Sequence, residues 1–284
     1  MAIALHPSTA AGRDALAALL ADPAGAVVAL DYDGTLAPIV ADPEQAHPAP
    51  GALAALAALG PRGAALAVAT GWPTASALRL GGFAGVAGLE RLTVLGHYGA
   101  ERWDAATGEF TAPQVPPGVA AVRAELPALL AELAAPAGVG IEDKGRSLAV
   151  HTRRAADPQG ALELLRGPLG ELAARHGLSV EPGRLVVELR PGGADKGVAL
   201  TGFLRESGAR SVLYAGDDLG DLAAYAAVEE LRGEGLPNPL VASGPVTGEP
   251  PVREVAERAD LVVPGPVGVV ELLNGLYGAL SAAS

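Results

Sequence analysis

At 284 residues the chain is long enough to bury a sizeable core, as one large domain or two modest ones. It has no cysteine, which excludes disulfides, thiolate metal sites and a cysteine nucleophile and suits a reducing, cytoplasmic setting. The net charge of −12 argues against nucleic acid as the main partner. The Ala/Leu runs are interrupted well short of the ~20 residues a membrane span needs, so no membrane segment is expected.

The opening MAIALHPSTAAGRDALAALL lacks a basic region ahead of an apolar stretch, so no signal peptide is expected, and 14–21 reads as a helix. VVAL (27–30) is a short continuous apolar run, the pattern of a buried strand. A helix over 51–59, a strand at ALAVAT (65–70), a helix over 74–80 and a strand at LTVL (92–95) follow. The Pro-rich TAPQVPPG (111–118) then changes the texture. Helices at about 118–135 and 158–176 are interleaved with strands VGIED (139–143), SLAVHTR (147–153), LSVEP (178–182) and RLVVELR (184–190). SLAVHTR and LVVELR alternate as strands with one wet face do. RPGG (190–193) leads out to a helix over 197–207, strands SVLYA (211–215), PLVAS (239–243) and LVVP (261–264), and a helix over 268–280. Continuous apolarity in the outer strands predicts an open, mostly parallel sheet covered by helices on both faces. The expected fold is therefore α/β, a Rossmann-like doubly wound core over 1–113 and 191–284. A smaller α+β domain over 114–190 is inserted in it, with the two connections as hinges.

Four segments fall at the carboxyl ends of core strands or at a helix start, the edge where open α/β sheets bind ligands. The first, DYDGTL, ends a buried strand on Asp31 and Asp33, two carboxylates that repel unless a cation holds them or one carries a proton. In the second, AVATGWP, Thr70 closes a strand before a helix, a position that also suits a turn or cap. In the third, GGADKG, Asp195 reads as an N-cap and places Lys196 in the first helical turn, against the helix dipole. Lysine is rare here: of the 20 basic residues 18 are arginine, and only Lys144 and Lys196 are lysine. A compact ammonium beside a helix N-terminus suits an anion. The fourth, YAGDDLGD, gathers Asp217, Asp218 and Asp221, a set that suits a hard cation such as Mg2+. Asp31 and Asp217 can share that ion with the backbone carbonyl of Asp33, whose side chain is then left for proton transfer. Such parts serve phosphoryl transfer.

In type, order and spacing these four motifs resemble the haloacid dehalogenase superfamily of phosphohydrolases. DYDGTLAPIVADPEQA, GHYGAERW, IEDKGRSLAVHTR, VVELRPGGADKG and YAGDDLGD narrow the resemblance to the trehalose-6-phosphate phosphatases. The resemblance implies that Asp31 is the nucleophile, that Asp33 is the general acid and base, and that Thr70 and Lys196 hold phosphoryl oxygens. It also implies that Asp217 completes the Mg2+ shell, with Asp218 and Asp221 as ligands or supports. In the inserted domain, a cap for sugar recognition, Glu142, Lys144 and Glu188 match residues that grip the far glucose. Arg153 and Arg190 match basic positions near phosphate or sugar. Glu142 and Lys144 lie two apart and so share one strand face, where a structural ion pair is the alternative. His151 reads as a strand residue.

The chain departs from the family pattern in three places. Trp72 stands where Arg is usual, Tyr98 where His is usual, and Gly220 and Leu222 flank Asp221. The expected activity is hydrolysis of a small-molecule sugar phosphate, trehalose 6-phosphate, to trehalose and phosphate. The competing readings are the same mechanism on another sugar phosphate or trehalose-like phosphate, and a non-catalytic sugar-phosphate-binding regulator. A degenerate regulator is expected to lack the nucleophile or its acid, and this chain has both Asp31 and Asp33.

Overall fold

The computed structural model describes residues 5–40, 42–183, 185–244 and 252–282. Residues 1–4 of the N-terminal reading and position 184, the expected start of the RLVVELR strand, lie outside that set. The chain divides into two compact units, residues 1–112 with 195–284, and residues 113–194. The sequence limit of 114 differs from the second unit's start by one residue, and that of 190 falls short of its end because the last strand of the small sheet runs on to Pro191 and pairs there with Leu178.

Among its described residues the first unit is built on a sheet ordered β12-β11-β10-β1-β2-β3-β4-β5. β1 (Ala26–Leu30), β2 (Ala65–Ala69), β3 (Leu92–Gly96), β10 (Ser211–Gly216), β11 (Leu240–Gly244) and β12 (Leu261–Pro264) run parallel. β4 (Glu101–Asp104) and β5 (Phe110–Thr111) add an antiparallel hairpin at one edge.

Side chains alternate across a strand, so each parallel strand feeds two cores. Val28, Leu30, Leu66, Val68 and Val94 pack with α1 (Ala10–Ala21), α2 (Ala52–Leu59), α3 (Thr74–Gly81) and α9 (Gly265–Ala282). Val27, Ala29, Ala67 and Tyr214 pack on the other face with α6 (Lys196–Glu206), α7 (Leu222–Gly233) and α8 (Arg253–Arg258). Burial on both faces is why these strands read as unbroken apolar runs. The arrangement is the doubly wound sheet expected. α7, α8 and the β4–β5 hairpin are additions to it.

The second unit carries an antiparallel sheet ordered β6-β7-β9-β8, from β6 (Gly140–Asp143), β7 (Leu148–His151), β8 (Leu178–Gly183) and β9 (Val186–Pro191). One face, with Leu148, Val150, Val187 and Leu189, packs on α4 (Pro117–Glu132) and α5 (Pro158–Arg175). The other face is polar. Asp157 starts α5 by accepting the Gly160 N–H at 2.9 Å. No described helix is long and apolar enough to cross a membrane.

Candidate active site

β1 lies between β10 and β2, and the Asp31 N–H prolongs its ladder by donating to the Ala215 carbonyl at 2.9 Å. The Asp31 carboxylate therefore emerges at the carboxyl edge of the sheet, 4% exposed. Tyr32 turns back into the core and donates its hydroxyl to the Ala46 carbonyl at 2.8 Å. That sends Asp33 outward on the following turn, half-buried.

Gly34 then adopts φ +74°, and a Cβ there would stand 2.0 Å from Asp217 Oδ2. Only glycine lets the carboxylate of the β10 loop approach the β1 loop this closely. Ser243, in β11, donates to the Gly34 carbonyl at 2.7 Å and pins the turn from the other side.

Lys196 opens α6 behind its N-cap Asp195, whose carboxylate accepts the Val198 N–H at 2.8 Å. Its ammonium, 5% exposed, donates to Asp31 Oδ1 at 2.5 Å and to Asp221 Oδ1 at 2.7 Å. Asp221 Oδ1 also accepts the Tyr214 hydroxyl at 2.6 Å, and Oδ2 accepts the N–H groups of Asp217 and Asp218 at 3.0 and 3.2 Å. Both Asp221 oxygens are thus engaged by protein donors, and this carboxylate anchors the lysine and the β10 loop.

Asp31, Asp217 and Asp221 each present an oxygen within 4.8 Å of the others, a group that could hold a metal ion. The charges do not balance: one ammonium faces three carboxylates. Burial, then the charge of Asp221, push the Asp31 carboxyl up to about 8 despite the pull of Lys196. Burial and the charge of Asp31 push Asp217 upward as well. Burial opposes the Lys196 charge, but Asp221 and Asp31 outweigh it and hold the ammonium well above its ordinary range. An all-oxygen donor set with surplus negative charge fits a hard divalent cation, whose charge reverses the pressure on the carboxylates.

Thr70 ends the neighbouring strand, buried, with its N–H on the Leu95 carbonyl at 2.9 Å and its hydroxyl oxygen accepting the Trp72 N–H at 3.1 Å. The Trp72 indole N–H donates to Asp33 Oδ2 and ties this loop to the β1 turn. His97 and Tyr98 donate their N–H groups to the carbonyls of Trp72 and Thr70, both at 2.8 Å.

In the second unit, pairing aligns Glu142, Ala149, Glu188 and Glu181 as one row across the four strands. Lys144 Nζ donates to Glu188 Oε2 at 3.0 Å and Ser147 Oγ to Glu188 Oε1 at 2.5 Å. His151 Nε2 meets Glu142 Oε2 at 2.7 Å from the diagonal position on β7. Burial opposes the Glu142 charge, yet the His151 hydrogen bond and the Lys144 charge together hold its carboxyl below the usual glutamate range. The paired groups leave a half-open polar face with Ala149 as its floor.

Asp31, Asp217, Asp221 and Lys196 therefore converge, and Asp33 meets the Thr70 loop through Trp72. Glu142, Lys144 and Glu188 share one face of the small sheet. Asp218 caps the turn after β10, its Oδ1 accepting the Leu219 N–H at 2.6 Å, and does not join the metal-competent group. Arg190 is engaged by Glu181 Oε2 at 2.5 Å and by the Ala194 carbonyl at 2.5 Å. Arg153 stands half-buried in the turn after β7. Trp72, Tyr214, Ser147 and His151 were not singled out as site residues from sequence. Ser147 and His151 carried a signal in the alternation of SLAVHTR, which places both on the wet face. Trp72 stood out only as a departure from the family pattern, and Tyr214 carried no signal.

A family model described as Trehalose-phosphatase matches residues 29–256. A Sinorhizobium fredii protein named "Probable trehalose-phosphate phosphatase" is 35% identical over 231 residues, 79% of this chain and 82% of that protein. The trehalose-phosphate phosphatase of Mycolicibacterium paratuberculosis is 35% identical over 228 residues, 74% of this chain but 53% of that protein, so the chain spans about half that relative's length. Among solved structures, the C-terminal domain of the C. albicans trehalose-6-phosphate phosphatase superposes with a TM-score of 0.75 at 21% identity, covering 97% of this chain and 99% of that one. That likeness concerns the fold.

Proposed function

The chain belongs to the trehalose-phosphatase family, and from that premise we propose that it is a Mg2+-assisted phosphomonoesterase hydrolysing trehalose 6-phosphate to trehalose and phosphate. The observation that carries the mechanism is Asp31, 4% exposed at the end of a central strand, held by Lys196 at 2.5 Å beside two further carboxylates.

The Asp31 carboxylate attacks phosphorus, the bond from phosphorus to the sugar oxygen breaks, and Asp33 passes its proton to that oxygen. Water then attacks the aspartyl-phosphate and gives its proton to Asp33. The bond from Asp31 to phosphorus breaks, and inorganic phosphate leaves. Asp31 and Asp217, with the Asp33 carbonyl, would hold Mg2+, which when bound neutralises charge on the phosphoryl oxygens. Thr70 and Lys196 bind those oxygens, and Lys196 also fixes the nucleophile. Asp221 and Asp218 support the loop that carries Asp217. On the second unit Lys144 and Glu188 exchange their mutual contact, and Glu142 its contact with His151, for sugar hydroxyls. Arg190 braces the small sheet through Glu181, and Arg153 is a second basic group of that unit assigned to substrate beside Lys144. The cysteine-free chain suits a reducing, cytoplasmic setting.

The same mechanism acting on another sugar phosphate is favoured by one observation, the tryptophan at position 72 where the family usually has arginine. Phosphate release with Mg2+ from trehalose 6-phosphate and a panel of sugar phosphates separates the two readings by kcat/KM. Activity on trehalose 6-phosphate that disappears in Asp31→Asn is the expected result; no phosphate released from it by the intact protein would overturn the assignment.

A further inference from the structure

We infer that Trp72 is a positioning residue for proton transfer: its indole N–H fixes the Asp33 carboxylate, and the left-handed turn at His97 and Tyr98 fixes the indole. The inference rests on the reading of Asp33 as the general acid.

Trp72 is 7% exposed and packs in the core shared by α2, α3 and α9, so its ring has little freedom to swing. From that seat Nε1–H donates to Asp33 Oδ2 across 39 residues of sequence. The backbone of the same residue is held at both ends. Its N–H meets Thr70 Oγ1 at 3.1 Å, and its carbonyl accepts the His97 N–H at 2.8 Å.

The holding turn is itself unusual. His97 and Tyr98 have φ of 47° and 59°, two consecutive non-glycine residues in the left-handed region. Strain of that kind persists where the surroundings impose it, and it gathers at functional sites. Here it lets Tyr98 turn its N–H onto the Thr70 carbonyl and its ring onto Gly71, where a Cβ would stand 2.9 Å from the ring's Cζ and Oη. The chain of contacts runs from the strained turn to the 70–72 loop, to the indole, to the carboxylate.

A rigid neutral donor in that place orients a carboxyl without competing for the phosphoryl group as a cation does. Loss of orientation matters in proportion to how badly the leaving oxygen needs a proton. A sugar alkoxide needs it; 4-nitrophenolate does not. The test compares kcat/KM, which reports the steps through aspartyl-phosphate formation, for trehalose 6-phosphate and 4-nitrophenyl phosphate in the Mg2+-supplied full chain.

Trp72→Phe keeps the ring and removes the donor. It is expected to lower kcat/KM on the sugar ester by ~10- to 100-fold and to leave the aryl ester close to wild type. Trp72→His, which restores a ring N–H, should recover part of the loss. Gly71→Val, which displaces Tyr98 and with it the Thr70 carbonyl contact, should lower kcat/KM on both esters but by a larger factor on the sugar ester. Equal losses on both esters, or no loss on either, would overturn the inference.

Asp33→Asn is the control for the underlying reading. If it discriminates between the esters and Trp72→Phe does not, the inference alone fails. If Asp33→Asn does not discriminate, the role of Asp33 fails and the inference with it. Should trehalose 6-phosphate not be turned over, the same comparison runs with whichever sugar phosphate is.

Discussion

The two polar clusters use similar groups under opposite electrostatic regimes. In the first unit one buried ammonium serves Asp31 and Asp221 with Asp217 beside them, and the Asp31 carboxyl is pushed up to about 8. In the second unit Glu188 has Lys144 and Glu142 has His151, and the Glu142 carboxyl is held low. The unbalanced cluster stores a demand for positive charge, which an ion or a transferring phosphoryl group with its metal can meet. In the second cluster Glu188 and Glu142 each already have a partner of their own. That cluster offers donors and acceptors already at hydrogen-bond spacing, which hydroxyls can replace one for one.

The contrast breaks most severely at Asp221. Asp221→Ala removes the acceptor of four donors and leaves Lys196 with a single carboxylate. The expected result is a loss of ~3 kcal/mol in urea unfolding together with a fall in kcat of ~100-fold. A variant of wild-type stability and rate would show that the anchoring role is absent. Next in size, Lys144→Ala should raise KM for trehalose 6-phosphate by ~10- to 100-fold and leave 4-nitrophenyl phosphate turnover near wild type. Parallel losses on both substrates would place Lys144 in the chemistry instead.

Ion binding at the first cluster depends on pH. Asp31 has its carboxyl raised from the ordinary 3.8 to about 8 by burial and Asp221, so the folded metal-free protein keeps a proton there that the unfolded chain releases. That stabilisation is complete below the ordinary value and is lost as pH rises through about 8. Mg2+ competes with the proton, so the Tm increase it produces should be larger at about pH 8.5 than at about pH 6. A Tm increase independent of pH would dissociate the ion from Asp31. The smallest effect is expected at His151: His151→Ala should raise KM for the sugar ester ~5-fold, with His151→Gln, whose amide nitrogen can take the place of Nε2, recovering it.

The core of this fold was legible because strands buried on both faces leave uninterrupted apolar runs, as in VVAL and LVVP, and because the chemistry clusters at their carboxyl ends. The β4–β5 hairpin was not. ERWD and FT carry no such run, and β4 exists because β3 offers it an antiparallel edge, pairing Val94 with Trp103. α8 has six residues, too few to show a period, and α7 begins directly behind the acidic motif of the β10 loop. Within the site, Asp31, Lys196 and Asp217 were readable from local motifs. The Trp72–Asp33 contact spans two loops from different strands, and the His151–Glu142 contact depends on strand register. Both are products of pairing, which a linear pattern does not contain.

The position of β1 between β2 and β10 also governs how the protein is made. Its two partners are separated by the whole inserted unit, and Ala26 pairs with Ser211. During synthesis β1 therefore waits with one ladder edge unsatisfied until the last quarter of the chain emerges, and contacts of such sequence separation fold slowly. A nascent or truncated chain ending before residue 211 would present AVVAL as an open, uncharged edge, a template for misassociation. The strand that ends on Asp31 is thus also a segment open to misassociation before translation is complete.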